Sequence, residues 1–168
     1  MAVQGKSMSG FIEIMHDEWV AATPDVVRAR YTDLRHREVA RVHPREHIRQ
    51  LAPGPTGPRF ERVARSGWRS LRDVFERRER ADGSVLDQCV AGSHWGRSIV
   101  ARFFRSNDGA RTGTLIELTL TQPLRPVVGR MVGRWLRRRL EAELREFAAE
   151  IRADVERGYK KERELRVA

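Results

Sequence analysis

The sequence contains a single cysteine, Cys89, among its 168 residues. An internal disulfide is therefore excluded, and so is a zinc site built on several cysteine thiolates. Long hydrophobic runs are also missing: none approaches the roughly 18 apolar residues that cross a bilayer, and residues 1–10 lack the apolar stretch of a secretory signal. We expect a soluble, cytoplasmic protein.

Acidic residues are outnumbered by basic ones, and lysine is scarce. There are 33 Lys and Arg against 23 Asp and Glu, which gives a formal net charge of +10, and only three of the basic residues are lysines. The excess favours anionic partners, whereas the preference for arginine also fits a GC-rich coding bias. Hydrophobic residues still make up 40% of the chain, enough for one folded domain with a core.

Several chemical signatures are absent as well. The sequence shows no glycine-rich phosphate loop, no nucleophile elbow and no recognised spacing of metal ligands. We therefore expect neither a metal nor any other cofactor.

The first quarter of the chain predicts a strand followed by two helices. Residues 11–20 are β-prone, and Thr23 and Pro24 are typical of the start of a helix. A second helical segment is predicted over 34–42 and ends before Pro44.

The middle of the chain predicts an antiparallel meander, because short β-prone runs alternate with turns rich in glycine, proline and asparagine. Six strands are predicted, at residues 46–51, 59–66, 69–79, 84–93, 97–106 and 113–121. After Pro123 the apolar period becomes helical and stays so to about Gly158. The expected organisation is a flexible N-terminus over 1–10, one domain over 11–158 and a charged tail over 159–168.

Three segments carry a resemblance to a known superfamily. Residues 20–27, with the sequence Val-Ala-Ala-Thr-Pro-Asp-Val-Val, are similar to a strand-to-helix entry, Asp33 follows the first helix, and residues 113–120 are similar to a glycine-threonine final strand. In these features and in its element order the chain resembles the SRPBCC or START-like superfamily, which includes Bet v 1-like allergens, lipid-transfer domains and polyketide cyclases. The resemblance implies an α+β helix-grip fold: a curved seven-stranded antiparallel sheet around a long C-terminal helix, with two short helices after strand 1 and an apolar cavity inside.

The stretch after the first helix departs from this resemblance. Some aromatase and cyclase members have a tryptophan-proline-glutamate-like pattern there, and this chain reads Leu-Arg-His-Arg-Glu over residues 34–38. A polyketide cyclase activity is therefore less well supported than the fold.

One face of the long helix is predicted to be gripped by the sheet. At about 100° per residue one stripe contains Gly129, Gly133, Leu136, Leu140, Leu144, Phe147, Ile151 and Val155. The two glycines have no side chain at the N-terminal end of this stripe. Two alternatives follow: a ligand cavity beneath the glycines, or close packing of the helix on the sheet without a cavity.

A second apolar stripe lies on roughly the opposite side of this helix, with Leu124, Val128, Met131, Val132 and Trp135. It requires either a kink near residues 137–139 or a cover, which could be a loop, a protein partner, a second copy of the chain or a membrane. Nearby arginines, Arg134, Arg137, Arg138 and Arg139, could contact an anionic surface, or they could form an ordinary solvated face. Nucleic acid is not expected, because no base-reading element accompanies them.

His16 and Glu18 are the first candidates for chemistry. If the first strand faces inward with Ile12, Ile14 and Val20, both polar side chains point the same way and could orient a ligand or act as acid and base. The opposite parity would bury Phe11, Met15 and Trp19 instead. His16 and Glu18 would then be exposed to water.

Other polar candidates for a ligand-binding lumen are Tyr31, Asp87, Arg102 and Glu117, beside Gly129, Gly133 and Leu136 from the long helix. Arg102 is also a catalytic candidate together with His16 and Glu18. The preferred hypothesis is binding or transport of a hydrophobic small molecule, such as a lipid, an isoprenoid or a polyketide-like compound. The alternatives are a cyclase or dehydratase of the same fold, and an interaction module that docks a protein or an anionic membrane through the basic helix.

Overall fold

The computed structural model describes residues 7–8, 10–40, 42–43, 45–66, 69–108, 111–124 and 126–167; side chains at 7–8, 65–66, 69, 108, 111, 126–132 and 159–167 lie outside the description. In chain order the elements are β1 Ser7–Met8, β2 Phe11–Val20, α1 Pro24–Thr32, α2 Leu34–Ala40, β3 Glu46–Leu51, β4 Arg59–Ser66, β5 Arg69–Glu79, β6 Val85–Gly92, β7 Ser98–Asp108, β8 Arg111–Pro123 and α3 Pro126–Val167.

The strands form one curved antiparallel sheet in the order β1-β2-β8-β7-β6-β5-β4-β3. The seven predicted strands, β2 to β8, are confirmed, and the two-residue β1 adds a short edge beside β2. The N-terminal β2 pairs with the C-terminal β8, while α1 and α2 carry the chain across to β3 at the opposite edge. The predicted α+β architecture is therefore present.

Alternation along the strands decides which side chains enter the interior. Ile116, Leu118 and Leu120 of β8 are buried and alternate with more exposed residues, as the sequence pattern predicts. On β2 the inward residues are Ile12, Ile14 and Val20. His16 and Glu18 therefore belong to the inward-facing parity, which settles the alternative that the sequence left open.

The long helix α3 presents its predicted stripe to the sheet. Leu140, Leu144, Ile151 and Val155 are buried in the main core cluster, and Leu136 packs against it partly buried. Burial of each leucine or isoleucine side chain stabilises the fold by about 1.5–3 kcal/mol relative to an exposed one. Burial of this stripe therefore holds α3 against the sheet. The predicted end near Gly158 is wrong, since the helix continues to Val167, and it runs through residues 137–139 without interruption.

The interior is divided into an apolar and a polar part. Around β2, β7 and β8 the core is aliphatic. On β4, β5 and β6 the inward positions also carry charged side chains, among them Arg62, Arg77 and Asp87. Because buried charges are costly unless they are paired, this part of the interior requires specific partners.

No helix within the described ranges is both long enough and apolar enough to cross a membrane.

Candidate functional site

A cavity of about 700 Å³ lies between the N-terminal half of α3 and the sheet at β3, β4 and β5. We call it the α3 cavity. The turn between β6 and β7 closes it on one side, and the end of β8 closes it on another. The cavity lies against α3 beside Leu136, whereas the space was predicted beneath Gly129 and Gly133, and Gly133 is not among its lining residues.

The apolar part of the wall comes from three elements and the end of a fourth. Leu136, Leu140 and Phe147 project from α3, and the complete apolar lining is Ala64, Leu71, Pro123, Leu124, Leu136, Leu140, Ala142 and Phe147. This surface can receive the hydrocarbon part of a ligand.

The remaining wall is charged or polar, which the sequence did not predict. It consists of Arg45, Glu46, Arg62, His94, Arg97, Gln122, Arg139, Glu143, Glu146 and Glu150. The cavity is therefore amphipathic rather than uniformly apolar.

Two buried arginines meet at one carboxylate in this wall. Arg62 Nη2 from β4 and Arg97 Nη1 from the β6–β7 turn both donate to Glu143 Oε1 of α3, each at 2.8 Å. Arg97 Nε also donates to Gln122 Oε1 at 2.7 Å. Burial alone would raise the pKa of Glu143, but the charges of Arg97 and Arg62 outweigh burial and hold the pKa of Glu143 below its usual value. Glu143 is therefore ionised at neutral pH.

His94 in the same turn is fixed by Asp73 of β5. The backbone N–H of His94 donates to Asp73 Oδ1 at 2.8 Å, and its Nδ1 lies 2.7 Å from Asp73 Oδ2. Burial would raise the pKa of Asp73, but the hydrogen bonds from His94 outweigh burial and keep the pKa of Asp73 low. This pair positions the turn that carries Arg97.

A second polar cluster lies behind Phe147. His43 stacks on the Phe147 ring at a centroid distance of 4.6 Å, and its Nδ1 contacts Glu150. Arg37 Nη2 lies 3.0 Å from His43 Nε2. Because a guanidinium can only donate, Nε2 accepts, and the His43 proton is on Nδ1, facing Glu150. Burial and the charge of Arg37 lower the pKa of His43 to about 3, so the ring is neutral at pH 7.

Arg37 itself is buried beneath aromatic rings. Its guanidinium carbon lies 5.5 Å from the Tyr31 ring centre and 5.4 Å from that of Phe147. Its Nε and Nη1 have no hydrogen-bond partner in the described part of the chain. Burial, together with the charge of Arg77, lowers the pKa of Arg37, and the faces of the aromatic rings compensate part of that cost.

Tyr31 and Asp87, two predicted ligand-binding residues, are brought together in the core. Arg77 Nε and Nη2 donate to the two oxygens of Asp87, both at 2.6 Å, and the Tyr31 hydroxyl donates to Asp87 Oδ2 at 3.4 Å. Burial and the Asp87 charge raise the pKa of Tyr31, so the phenol stays protonated. Neither predicted residue lines the α3 cavity.

Arg102 and Glu117 form a cross-strand pair, with Nη1 of Arg102 donating to Oε1 of Glu117 at 2.6 Å. Their neighbours Ala101 and Leu118 are fully buried, so alternation places this pair on the opposite, outer face of the sheet. The pair is thus separated from the cavity.

The predicted residues of α3 have different outcomes. Leu136 lines the cavity, whereas Gly133 is not among the lining residues, although a Cβ built at Gly133 would meet no atom within 4 Å. The surroundings of Gly129 lie outside the described residues.

His16 and Glu18 lie together near the C-terminal half of α3. His16 Nε2 is 3.4 Å from Glu18 Oε2, and Arg152 Nη1 donates to Glu18 Oε1 at 2.9 Å. Neither residue belongs to the cavity lining. The three catalytic candidates, His16, Glu18 and Arg102, therefore do not converge on the cavity.

Of the second predicted stripe, Trp135 of α3 is 60% exposed, and Leu124, which precedes the start of α3, is partly buried against the core. The guanidinium carbon of Arg139 lies 5.5 Å from the Trp135 ring centre. Arg134 and Arg138 are exposed, and Arg137 is half-buried. The predicted contact side chains Val128, Met131 and Val132 lie outside the described residues.

Sequence reasoning missed Arg62, Arg97 and Glu143. One signal was available for Glu143: it lies three residues after Leu140 and four before Phe147, which places an acid within the buried stripe. For Arg62 the neighbouring Val63 fitted the opposite strand parity equally well, and Arg97 follows a turn glycine without any periodic signal.

No family model matches the chain, and no curated protein matches it either. Among solved structures, norcoclaurine synthase from Thalictrum flavum in complex with dopamine and hydroxybenzaldehyde is 14% identical with a TM-score of 0.65, covering 92% of this chain and 95% of that chain. A START superfamily protein from Mycobacterium smegmatis is 16% identical with a TM-score of 0.65, covering 88% and 98%. The Zhui aromatase/cyclase from a Streptomyces species is 17% identical with a TM-score of 0.63, covering 88% and 94%. The chain has the helix-grip fold of the SRPBCC, or Bet v 1-like, proteins.

Proposed function

We propose that this protein binds a small, largely apolar molecule in the α3 cavity. The observation that carries the proposal is the cavity itself, whose volume of about 700 Å³ falls within the range of about 300–1,000 Å³ that is typical of small-molecule sites. The close packing of helix on sheet that the sequence left open would have no such space.

The lining supplies both a driving force and an orientation. Leu136, Leu140 and Phe147 offer apolar contact, and burying roughly 200 Å² of ligand hydrocarbon contributes about 5 kcal/mol. The Arg62–Glu143–Arg97 cluster in the same wall favours a polar end. A lipid, isoprenoid or polyketide-like molecule with one polar end fits this combination.

The structural likenesses support the same proposal at the level of the fold. One similar structure holds dopamine and hydroxybenzaldehyde, and another belongs to an aromatase/cyclase. For the present chain the predicted acid–base residues do not reach the cavity, so binding is preferred over cyclisation or dehydration.

A cavity-filling variant tests the proposal with Nile red, a neutral dye that fluoresces in apolar surroundings. We expect saturable binding by the wild-type protein and at least ten-fold weaker binding by Ala64→Phe, because Ala64 lines the cavity. Ala149→Phe is the matched control, since Ala149 is exposed on α3 and outside the lining. Equal binding by the two variants, or no binding by the wild type, would contradict the proposal. Native mass spectrometry of the purified protein would identify a ligand that co-purifies.

A second candidate function is docking on an anionic membrane, and the exposure of Trp135 favours it. Tryptophan is a typical interfacial side chain, and exposed Arg134 and Arg138 flank it with positive charge. We expect the protein to sediment with vesicles that contain phosphatidylglycerol and not with pure phosphatidylcholine vesicles. Binding should be lost in Arg134→Glu/Arg138→Glu and kept when Arg105, exposed on β7, is changed to Glu.

A further inference from the structure

Two buried arginines in the wall of the α3 cavity have N–H groups that make no hydrogen bond within the described part of the chain. Arg62 and Arg97 are only 6% and 2% exposed, and both line the cavity. Each guanidinium has five N–H donors. Within the described part of the chain, Arg62 makes one hydrogen bond and Arg97 makes two, and their bonds to Glu143 share one oxygen.

One of the remaining donors, Arg62 Nε, is inaccessible to solvent. Arg62 Nε is buried and has no hydrogen-bond partner among the described residues. The nearest carboxylate oxygen that pairs with it, Glu46 Oε1, is 3.6 Å away, which is too long for a hydrogen bond. Glu46 therefore offsets the charge of Arg62 without occupying this donor, and Glu46 Oε2 is likewise buried without a hydrogen-bond partner among the described residues.

The two guanidiniums also act on each other. Burial lowers the pKa of Arg97; the charge of Glu143 opposes this shift, and the smaller effect of Arg62 adds to it. A ligand anion between the two guanidiniums would add to the attraction that Glu143 supplies. A neutral carbonyl would accept a hydrogen bond but would not supply the charge, and charge-assisted bonds are roughly twice as strong as neutral ones.

The wall offers contacts to both a polar and an apolar part of a ligand. Arg97 reaches the cavity from the turn after β6, Arg62 from β4, and both meet at Glu143 on α3. Leu136 and Leu140 lie earlier on the same helix and line the apolar part. A planar carboxylate matches the donor fork of a guanidinium in a way that a hydroxyl does not.

We propose that the ligand of the α3 cavity carries a carboxylate, which accepts hydrogen bonds from Arg62 and Arg97 while its hydrocarbon body packs against Leu136 and Leu140. The inference rests on the proposed binding function and adds the chemical class of the ligand to it. It assigns the selectivity for an acid to the two buried arginines.

Isothermal titration with two matched pairs of probes tests this inference: cinnamate against cinnamyl alcohol, and decanoate against decanol. We expect the wild-type protein to bind at least one of the acids ten-fold or more tightly than its alcohol, since a hydrogen bond to a charged group changes affinity by about 10- to 100-fold. Arg97→Gln should remove this preference, because it weakens binding of the acid more than binding of the alcohol. Arg105→Gln is the control, because Arg105 is exposed on β7 and lies outside the cavity lining.

The wild-type comparison requires no variant, so a folding defect in Arg97→Gln cannot obscure the result. Acids and alcohols that bind equally would overturn the assignment of a carboxylate ligand while leaving the proposed binding function intact. If no probe binds and Nile red does not bind either, the binding function fails and this inference fails with it. An acid preference that survives in both Arg97→Gln and Arg62→Gln would overturn the role of the two arginines.

Discussion

Removal of one partner from the buried ion pair between Arg77 and Asp87 should be among the most destabilising single changes in this protein. Arg77 donates to both oxygens of Asp87 at 2.6 Å, and Arg77 Nη1 also donates to the backbone oxygen of Tyr31 at 2.9 Å. Burial alone would lower the pKa of Arg77, but the charge of Asp87 and its hydrogen bonds outweigh burial, so the pKa of Arg77 is above its usual value. The cation therefore depends on Asp87.

The change Asp87→Asn keeps the shape of the side chain and removes its charge. Two charges about 4 Å apart at an effective dielectric constant of about 20 attract by about 4 kcal/mol. Removal of one partner of a buried pair costs about 3–5 kcal/mol, because the other charge is left uncompensated. We therefore expect Asp87→Asn to lose about 3–5 kcal/mol of the free energy of unfolding, measured by urea titration with tryptophan fluorescence.

The cross-strand pair Arg102–Glu117 is the matched control. Its shortest contact is also 2.6 Å, but it lies on the outer face in contact with solvent. Glu117→Gln should cost no more than about 1 kcal/mol. In addition, the double variant Arg77→Met/Asp87→Leu should recover at least about 2 kcal/mol relative to Asp87→Asn, because no charge is then left unpaired. If Asp87→Asn cost no more than Glu117→Gln, the reasoning about buried charge would be refuted.

Two further predictions concern His43 and a glycine. Below its ordinary pKa of 6.5 the unfolded chain binds a proton at His43, while the folded chain does not until about pH 3, so stability should fall by about 1–2 kcal/mol between pH 7 and pH 5. His43→Gln should flatten this slope in urea titrations at the two pH values, and the exposed-site control His47→Gln should not; equal slopes in all three proteins would contradict the assignment. Gly92 has φ +115°, and a Cβ there would overlap the Arg72 carbonyl oxygen, so Gly92→Ala should cost at least about 2 kcal/mol in thermal or urea unfolding. Gly83 has φ +79° and open space around it, so Gly83→Ala should cost about 1 kcal/mol. The same loss of stability at both sites would show that the overlap with the Arg72 carbonyl oxygen does not cause the loss at Gly92.

The raised pKa of Glu150 partly opposes the loss of stability that His43 causes as the pH falls. Burial raises the pKa of the Glu150 carboxyl, so the folded chain takes up a proton there above the usual value of 4.5. This proton uptake stabilises the folded protein relative to the unfolded chain as the pH falls. The clearest loss due to His43 is therefore expected in the upper part of its window, above about pH 5.

The local pattern of the sequence was sufficient to predict the element order and most boundaries. Strands β2, β3, β4 and β5 begin and end at the predicted residues, and the stripe from Leu140 to Val155 is the gripped face of α3. These features depend on periods of 2 and 3.6 residues and on turn-forming residues, all of which lie within a short window. The end of α3 was missed because the charged residues after Gly158 carry no apolar period.

The composition of the cavity depended on contacts between distant residues. Arg62 and Glu143 are 81 positions apart, and His43 and Glu150 are 107 apart. Tyr31 and Asp87 were selected as lumen residues from their chemistry, yet Arg77, 46 positions from Tyr31 along the chain, binds both of them in the core. A local window contains no information about such partners.

The amino-acid sequence by itself determined a strand, two helices, six strands and a long helix, because each element is encoded by neighbouring residues. Only the tertiary structure decided that Arg62, Arg97 and Glu143 meet in one wall and that Arg102 and Glu117 face outward. Those outcomes depend on strand register and on the rotation of α3, where a shift of one residue exchanges the buried and exposed faces of a strand.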